Sequence, residues 1–96
     1  MAVVYIAGPI TGNDNYAEDF ARWEQIVKDA GDVPINPAKL GLSLNQKSYM
    51  PICLSMLEQA DAILMLPGWE KSKGANIEKA YAEYQKKEIM YADERV

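Results

Sequence analysis

The stretch AILMLPGWEKSKGANIEKAYAEY, residues 62–84, decides the fold. Its first five residues form a continuous apolar, uncharged run, which reads as a strand buried on both faces. The run ends at Leu66, and a helix is predicted over about 73–86, with Ile77, Ala80, Tyr81 and Tyr84 on its buried side. Between strand and helix lies a junction more elaborate than a connection needs. It carries Trp69 and Gly74, and Glu78 follows in the early turns of the new helix, where a carboxylate gains from the positive end of the helix dipole.

The same alternation extends outward from this unit. Residues 2–7, AVVYIA, are a short run rich in β-branched residues that ends at Gly8-Pro9, again a strand buried on both faces. Asn15 with Glu18 three residues on makes a capping-box-like start to a helix. Tyr16, Phe20, Trp23, Val27 and Ala30 then give that helix one apolar face, and Gly31 ends it. VPIN, 33–36, is a second strand, placed at a sheet edge because Pro34 removes a ladder hydrogen bond. Residues 38–47 read as loop. A helix over about 48–59 follows, with Pro51 in its first turn and Met50, Cys53, Leu54 and Leu57 on one face. EIMY, 88–91, is the last strand.

The order βαβαβαβ implies a parallel sheet with right-handed crossovers and helices on both faces. The expected architecture is a flavodoxin-like three-layer sandwich of about four strands, ordered 2-1-3-4. In such a sheet ligands bind beyond the carboxyl ends of the strands, at the switch point between strands 1 and 3. The loops that emerge there are GPITGN and PGWEKSKG, with Glu78 just beyond the second.

Composition bounds the chemistry. Ninety-six residues make one small domain, with ten basic against fourteen acidic residues and a net charge of −4. That balance argues against a nucleic-acid surface, which needs clustered Lys and Arg. The chain has no His, so zinc sites and Cys/His catalysis are excluded, and neither metal nor cofactor is expected. Cys53 is the sole cysteine, which fits a cytoplasmic compartment. No apolar run approaches a membrane span, and the N-terminal MAVVYIAGPI does not read as a secretory leader.

Each candidate residue also has a plainer reading. Gly8 and Gly12 in GPITG could present backbone N–H groups to an anion, but a tight turn explains them somewhat better, and the loop matches neither phosphate-binding glycine pattern. Trp69 could stack a flat base or simply cover the core. Isolated glutamates are mostly exposed, so Glu78 alone reads first as a solvated surface acid. Tyr5 could be plain core with a hydroxyl that needs a partner. Asp61 begins strand 3, at the end of the sheet opposite the site, where a capping or turn role suits it.

Taken together, YIAGPITG, ADAILML and SKGANIEKAYA resemble the nucleoside 2-deoxyribosyltransferase-like superfamily, which includes the 2′-deoxynucleoside 5′-phosphate N-hydrolases. The likeness covers most of the chain, residues 1–96 forming one such domain, and is most specific over 61–82. It is greatest for a branch of short bacterial and phage proteins that share the LPGWE-S-GA-E run. The resemblance implies that Glu78 is a nucleophile attacking C1′ of the sugar and that Tyr5 orients it. Ser72 matches a position that contacts sugar hydroxyl or phosphate. Gly8, Pro9, Ile10, Gly12 and Gly74 would help hold the substrate, with Trp69 as a wall against the base and Asn36 and Asn13 as polar contacts.

Three departures stand against the pattern. Cys53 occupies the place of an Asp that assists departure of the base, Thr11 replaces a basic residue of the first loop, and Pro9 replaces a hydroxyl residue. The last two weaken recognition of a 5′-phosphate. Asp14 and Glu70 are the nearby acids that could replace the missing one.

The leading expectation is an N-glycosidase or deoxyribosyltransferase for a (2′-deoxy)nucleoside or nucleotide. The alternatives are a non-catalytic nucleoside- or nucleotide-binding protein that keeps the pocket, and a structural dimeric domain with no small-molecule site. Further expectations are a homodimer or higher homo-oligomer, a Cys53 that faces the pocket, and an ionised Glu78 within reach of the Tyr5 hydroxyl, both bordering one pocket with Gly8 and Trp69.

Overall fold

The computed structural model describes residues 1–40 and 46–92. Four parallel strands lie in the order β2-β1-β3-β4: β1 is Val3–Ala7, β2 Val33–Ile35, β3 Ala62–Met65 and β4 Glu88–Tyr91. Helix α1, Tyr16–Asp29, links β1 to β2; α2, Gln46–Glu58, leads into β3; and α3, Lys73–Tyr84, joins β3 to β4. Short 3-10 turns occupy Pro37–Leu40 and Trp69–Lys71. The flavodoxin-like expectation is met, with β2 at the edge where Pro34, paired with Val4, needs no second partner.

Strand alternation explains the layers. Val4 and Ile6 of β1 point to one face, where with Leu64 and Leu66 they meet Phe20, Trp23 and Val27 of α1. Tyr5 and Ala7 point to the other, where with Ile63 and Met65 they meet Cys53 and Leu57 of α2 and Ala75 and Ala82 of α3. The chain moves one way across the sheet from β1 to β2 and the other way through β3 and β4. Right-handed crossovers therefore put α1 on one face and α2 and α3 on the other. The break between those directions opens the crevice at the carboxyl ends of β1 and β3.

Asp61 and Asp32 tie the opposite end. Asp61 Oδ2 accepts from Val3 N at 2.8 Å, and Asp32 Oδ1 accepts from Ala2 N at 3.0 Å. The turn role expected of Asp61 is the one it has.

Several local expectations need correction. Asn15 makes no side-chain cap to α1. The cap-like role passes to Asn13, whose Oδ1 accepts from Asn15 N at 3.1 Å and whose Nδ2 donates to Pro9 O at 3.1 Å and Asp19 Oδ2 at 3.2 Å. Ala30 is exposed. Helix α2 begins at Gln46, so Pro51 lies inside it, past the first turn. Part of the expected loop 38–47 is the 3-10 turn and the start of α2, and 41–45 lie outside the described residues.

The buried side of α3 is also different. Ala75, Glu78 and Ala82 face the sheet, while Ile77 is 50% and Tyr84 82% exposed. Ala80 is exposed as well, and Tyr81 is half-buried. Spacings of three and four put 75, 78 and 82 on one stripe, and two alanines let the helix approach the sheet closely. Counting Glu78 as a surface polar residue turned the predicted face by about one position.

Candidate active site

The carboxyl end of β1 runs through Ala7 into the buried Gly8. A Cβ at Gly8 would stand 2.8 Å from Leu66 Cβ, so glycine is what lets the first loop leave the sheet beside the end of β3. On the β3 side, Gly68 has φ +88° and turns the chain into the 3-10 segment. Asn76 secures that segment from α3, its Nδ2 donating to the carbonyls of Trp69, Glu70 and Ser72 at 3.2, 3.1 and 2.9 Å. Ser72 then caps α3, its Oγ accepting from Ala75 N at 3.2 Å.

These elements surround a cleft of about 640 Å³. Gly8, Ile10 and Thr11 of the first loop and Ser72, Gly74 and Glu78 of the second unit line it. Phe20, Pro37, Tyr49, Met50 and Ile77 supply apolar wall, and Lys71 and Lys73 supply positive charge. Among the described residues Glu78 is the one acidic side chain in that wall, and the one buried charged side chain.

Glu78 lines the cleft and accepts at Oε2 from the Tyr5 hydroxyl, whereas Tyr5 itself lies beneath the lining and does not border the pocket as expected. Tyr5 is fully buried and Glu78 6% exposed. Burial pushes the Glu78 carboxyl up to about 7, against the pull of the Tyr5 hydrogen bond, which favours the ionised form. Burial thus works against the ionised state that the helix dipole was expected to favour. Glu78 stands on the second turn of α3, where the dipole has faded, and desolvation dominates. Burial, then the Glu78 charge and the neighbouring Cys53, drive the Tyr5 phenol far above its ordinary value, so it stays a proton donor at all ordinary pH values.

Other expected site residues lie elsewhere. Trp69 does not line the cleft: its ring packs on Tyr91 with centroids 5.8 Å apart, and Lys79 Nζ stands 5.5 Å from its centroid. Asn36 donates to Glu24 Oε1 at 3.0 Å and accepts from Ala38 N at 2.9 Å, which turns it away from the site. Pro9 and Asn13 face a separate recess of about 210 Å³ on the α1 side. Gly12, with φ +80°, shapes the first loop without bordering the cleft. Asp14 and Glu70 are exposed and away from the lining. Cys53 is fully buried behind Tyr5, so it does not face the pocket.

Sequence reading missed Tyr49, Met50, Lys71 and Lys73. Tyr49 was the most accessible of these, since it stands one helical turn before Cys53.

The sign of the Glu78 shift makes a stability prediction. An acid whose native value exceeds its unfolded one binds its proton more tightly when folded. The resulting stability is fully present below about 4.5 and is lost as pH rises through about 7. Glu78→Gln, which keeps an acceptor for Tyr5, should flatten that slope. Urea unfolding on both sides of this window should find the variant more stable than wild type on the alkaline side, by on the order of 1–3 kcal/mol. Equal slopes for the two proteins would contradict the buried, proton-binding Glu78.

Two of the solved structures that the fold matches are 2-deoxyribosyltransferases. A 2-desoxiribosyltransferase from Leishmania mexicana aligns at a TM-score of 0.75 and 22% identity, over 95% of this chain and 63% of that one. A 2-deoxyribosyltransferase from the psychrotolerant bacterium Bacillus psychrosaccharolyticus aligns at 0.74 and 18%, over 94% of this chain and 71% of that one. The chain therefore has a nucleoside 2-deoxyribosyltransferase-like fold, and it spans 63% of the length of the Leishmania protein. No curated protein matches the sequence. A family model matches residues 2–91, and the chain belongs to the family described as Domain of unknown function (DUF4406).

Proposed function

We propose that the protein cleaves the N-glycosidic bond of a (2′-deoxy)nucleoside or nucleotide, with Glu78 as nucleophile and Tyr5 as the residue that orients it. The observation that carries this reading is that Glu78, held by a buried hydrogen bond from Tyr5, lines a cleft large enough for a nucleoside. In its ionised form a Glu78 oxygen attacks C1′, and the bond from C1′ to the base nitrogen breaks. The base leaves with the bonding pair and takes up a proton from water. Water or a second base then attacks C1′, and the carboxylate leaves, giving hydrolysis or transfer.

The Tyr5 donor holds the carboxylate in one orientation and occupies Oε2, which leaves Oε1 for attack. Ser72, Gly8 and Gly74 border the place of the sugar, while Phe20, Tyr49, Met50 and Ile77 provide apolar wall for the base. Lys71 and Lys73 give the cleft the cationic groups that the first loop lacks, which favours including nucleotides among the substrates.

One observation favours a second reading, a nucleoside- or nucleotide-binding protein without turnover. The position of the base-departure acid holds Cys53, whose thiol burial pushes up to about 11 and which does not reach the cleft. A structural domain with no ligand finds less support, because a carboxylate buried against an open cleft is costly without use.

The assembly belongs to this proposal. Ile77 and Tyr84 are exposed on α3, as is Ile52 on α2, and a homodimer would cover such side chains. Sedimentation at micromolar concentration should show a dimer, and monomer alone would remove this part. For the chemistry, nucleosides and 5′-nucleotides should be screened for released base. Glu78→Ala should lower release by a factor of about 10³ or more, and Tyr5→Phe by about 10–100 with little change in KM. Saturable binding with no release in wild type would favour the binding protein.

A further inference from the structure

Glu78 is the one buried charged side chain among the described residues, and no ion pair there includes it. Its bond is with the neutral Tyr5 hydroxyl at Oε2, which leaves Oε1 without a protein donor among those residues. A carboxylate held out of water is stabilised most by a positive charge close by, since the low dielectric that penalises it also strengthens its field. The lysines of the cleft do not supply that charge. Lys71 and Lys73 are exposed, and Lys73 precedes Glu78 on α3 by about 7 Å of helix rise. Water and salt weaken the field of such charges. Gly74 keeps the way between them open, since a Cβ there would stand 3.2 Å from Met50 Cε. The cleft therefore has one buried negative charge inside and two positive ones at its mouth.

The same wall is poor in groups that could protonate a departing base. Glu78 is its one acid among the described residues. Tyr49 already donates its hydroxyl proton to Pro37 O at 3.0 Å. Thr11 and Ser72 offer aliphatic hydroxyls, which are weaker acids than a phenol. We propose that the cleft takes a nucleotide whose base is a pyridinium ring, with the positive charge on the nitrogen bonded to C1′, where it meets Glu78, and the phosphate toward Lys71 and Lys73. The proposal rests on the reading of this cleft as a nucleotide site with Glu78 at C1′. Phe20 and Tyr49 give the flat cationic ring aromatic neighbours. The step balances without an acid. An oxygen of Glu78 bonds to C1′, the C1′–N bond breaks, and its electron pair neutralises the ring nitrogen. Water then attacks C1′, loses a proton to solvent and frees the carboxylate. A neutral base would have to find its proton in water. No acid is required on α2, and the buried Cys53 is ordinary core.

Two uncleavable ligands test the charge by itself. One is a carbocyclic nucleotide with a pyridinium carboxamide as base. The other is its benzamide counterpart, the same shape with carbon in place of the charged nitrogen. Both are made in the ribo and 2′-deoxy series and titrated calorimetrically into wild type and Glu78→Gln at about pH 8, above the Glu78 value of about 7. In at least one series wild type should bind the cation tighter than the neutral ligand by about tenfold or more, and Glu78→Gln should reduce that preference to about threefold or less. Equal binding of the pair by wild type, binding of neither, or a preference that survives in Glu78→Gln would overturn the proposal. The wild-type comparison stands without the variant should the variant not fold. The cleavable pyridinium nucleotide is then assayed for released pyridine, which should fall in Glu78→Ala. A preference for the cation with no release in wild type would overturn the nucleophilic reading of Glu78 and leave the ligand class standing. Glu78-dependent release of neutral bases, with the two analogues bound equally, would do the reverse.

Discussion

Glu78 is 6% exposed, and a domain of this size has a net stability of only about 5–15 kcal/mol. Taking an unpartnered carboxylate out of water costs several kcal/mol on its own. Two features make the burial tolerable: the hydrogen bond from Tyr5 and the option of holding a proton up to about pH 7. The rest of the site is arranged around that compromise. Ala75 and Ala82 on the same stripe bring α3 close enough to the sheet for the carboxylate to reach β1. Tyr5 can meet it because β1 is central, flanked by β2 and β3, with its side chains packed on both faces.

The parallel sheet also decides where the cleft opens. The strand order reverses direction at β1, so the loops after β1 and β3 diverge and leave a crevice at their carboxyl ends. Gly8 permits the close approach at its base, and Ser72 and Asn76 hold the opposite wall by bonding to backbone. The carboxylate therefore meets solvent only through a shaped opening. Its raised proton affinity follows from that placement.

Much of the fold was legible because the strands are short, mostly apolar runs and the connections after β1, α1, β2 and β3 carry glycine or proline. The order β2-β1-β3-β4 followed from the βα alternation and the handedness of the crossovers. The pairing of Glu78 with Tyr5 came from resemblance, since the bland reading of an isolated glutamate is a surface acid. What failed was local. The apolar face of α3 was misplaced because hydrophobic patterning scores a buried functional acid as solvent-facing. Trp69 and Asn36 were misassigned because loop residues are placed by contacts distant in sequence: Tyr91 for the indole and Glu24 for the amide. The first-loop cap moved from Asn15 to Asn13 because both residue types can organise a helix start and only the backbone path chooses between them.

A covalent intermediate would test the central claim most directly. The protein is mixed with a deoxynucleoside whose base it releases, quenched in acid within a single turnover, digested, and mapped by mass spectrometry. The account predicts a sugar ester on the peptide that carries Glu78, absent when Glu78→Gln protein is treated in the same way. Sugar attached to another residue, or base release undiminished in the Glu78→Gln protein, would contradict it.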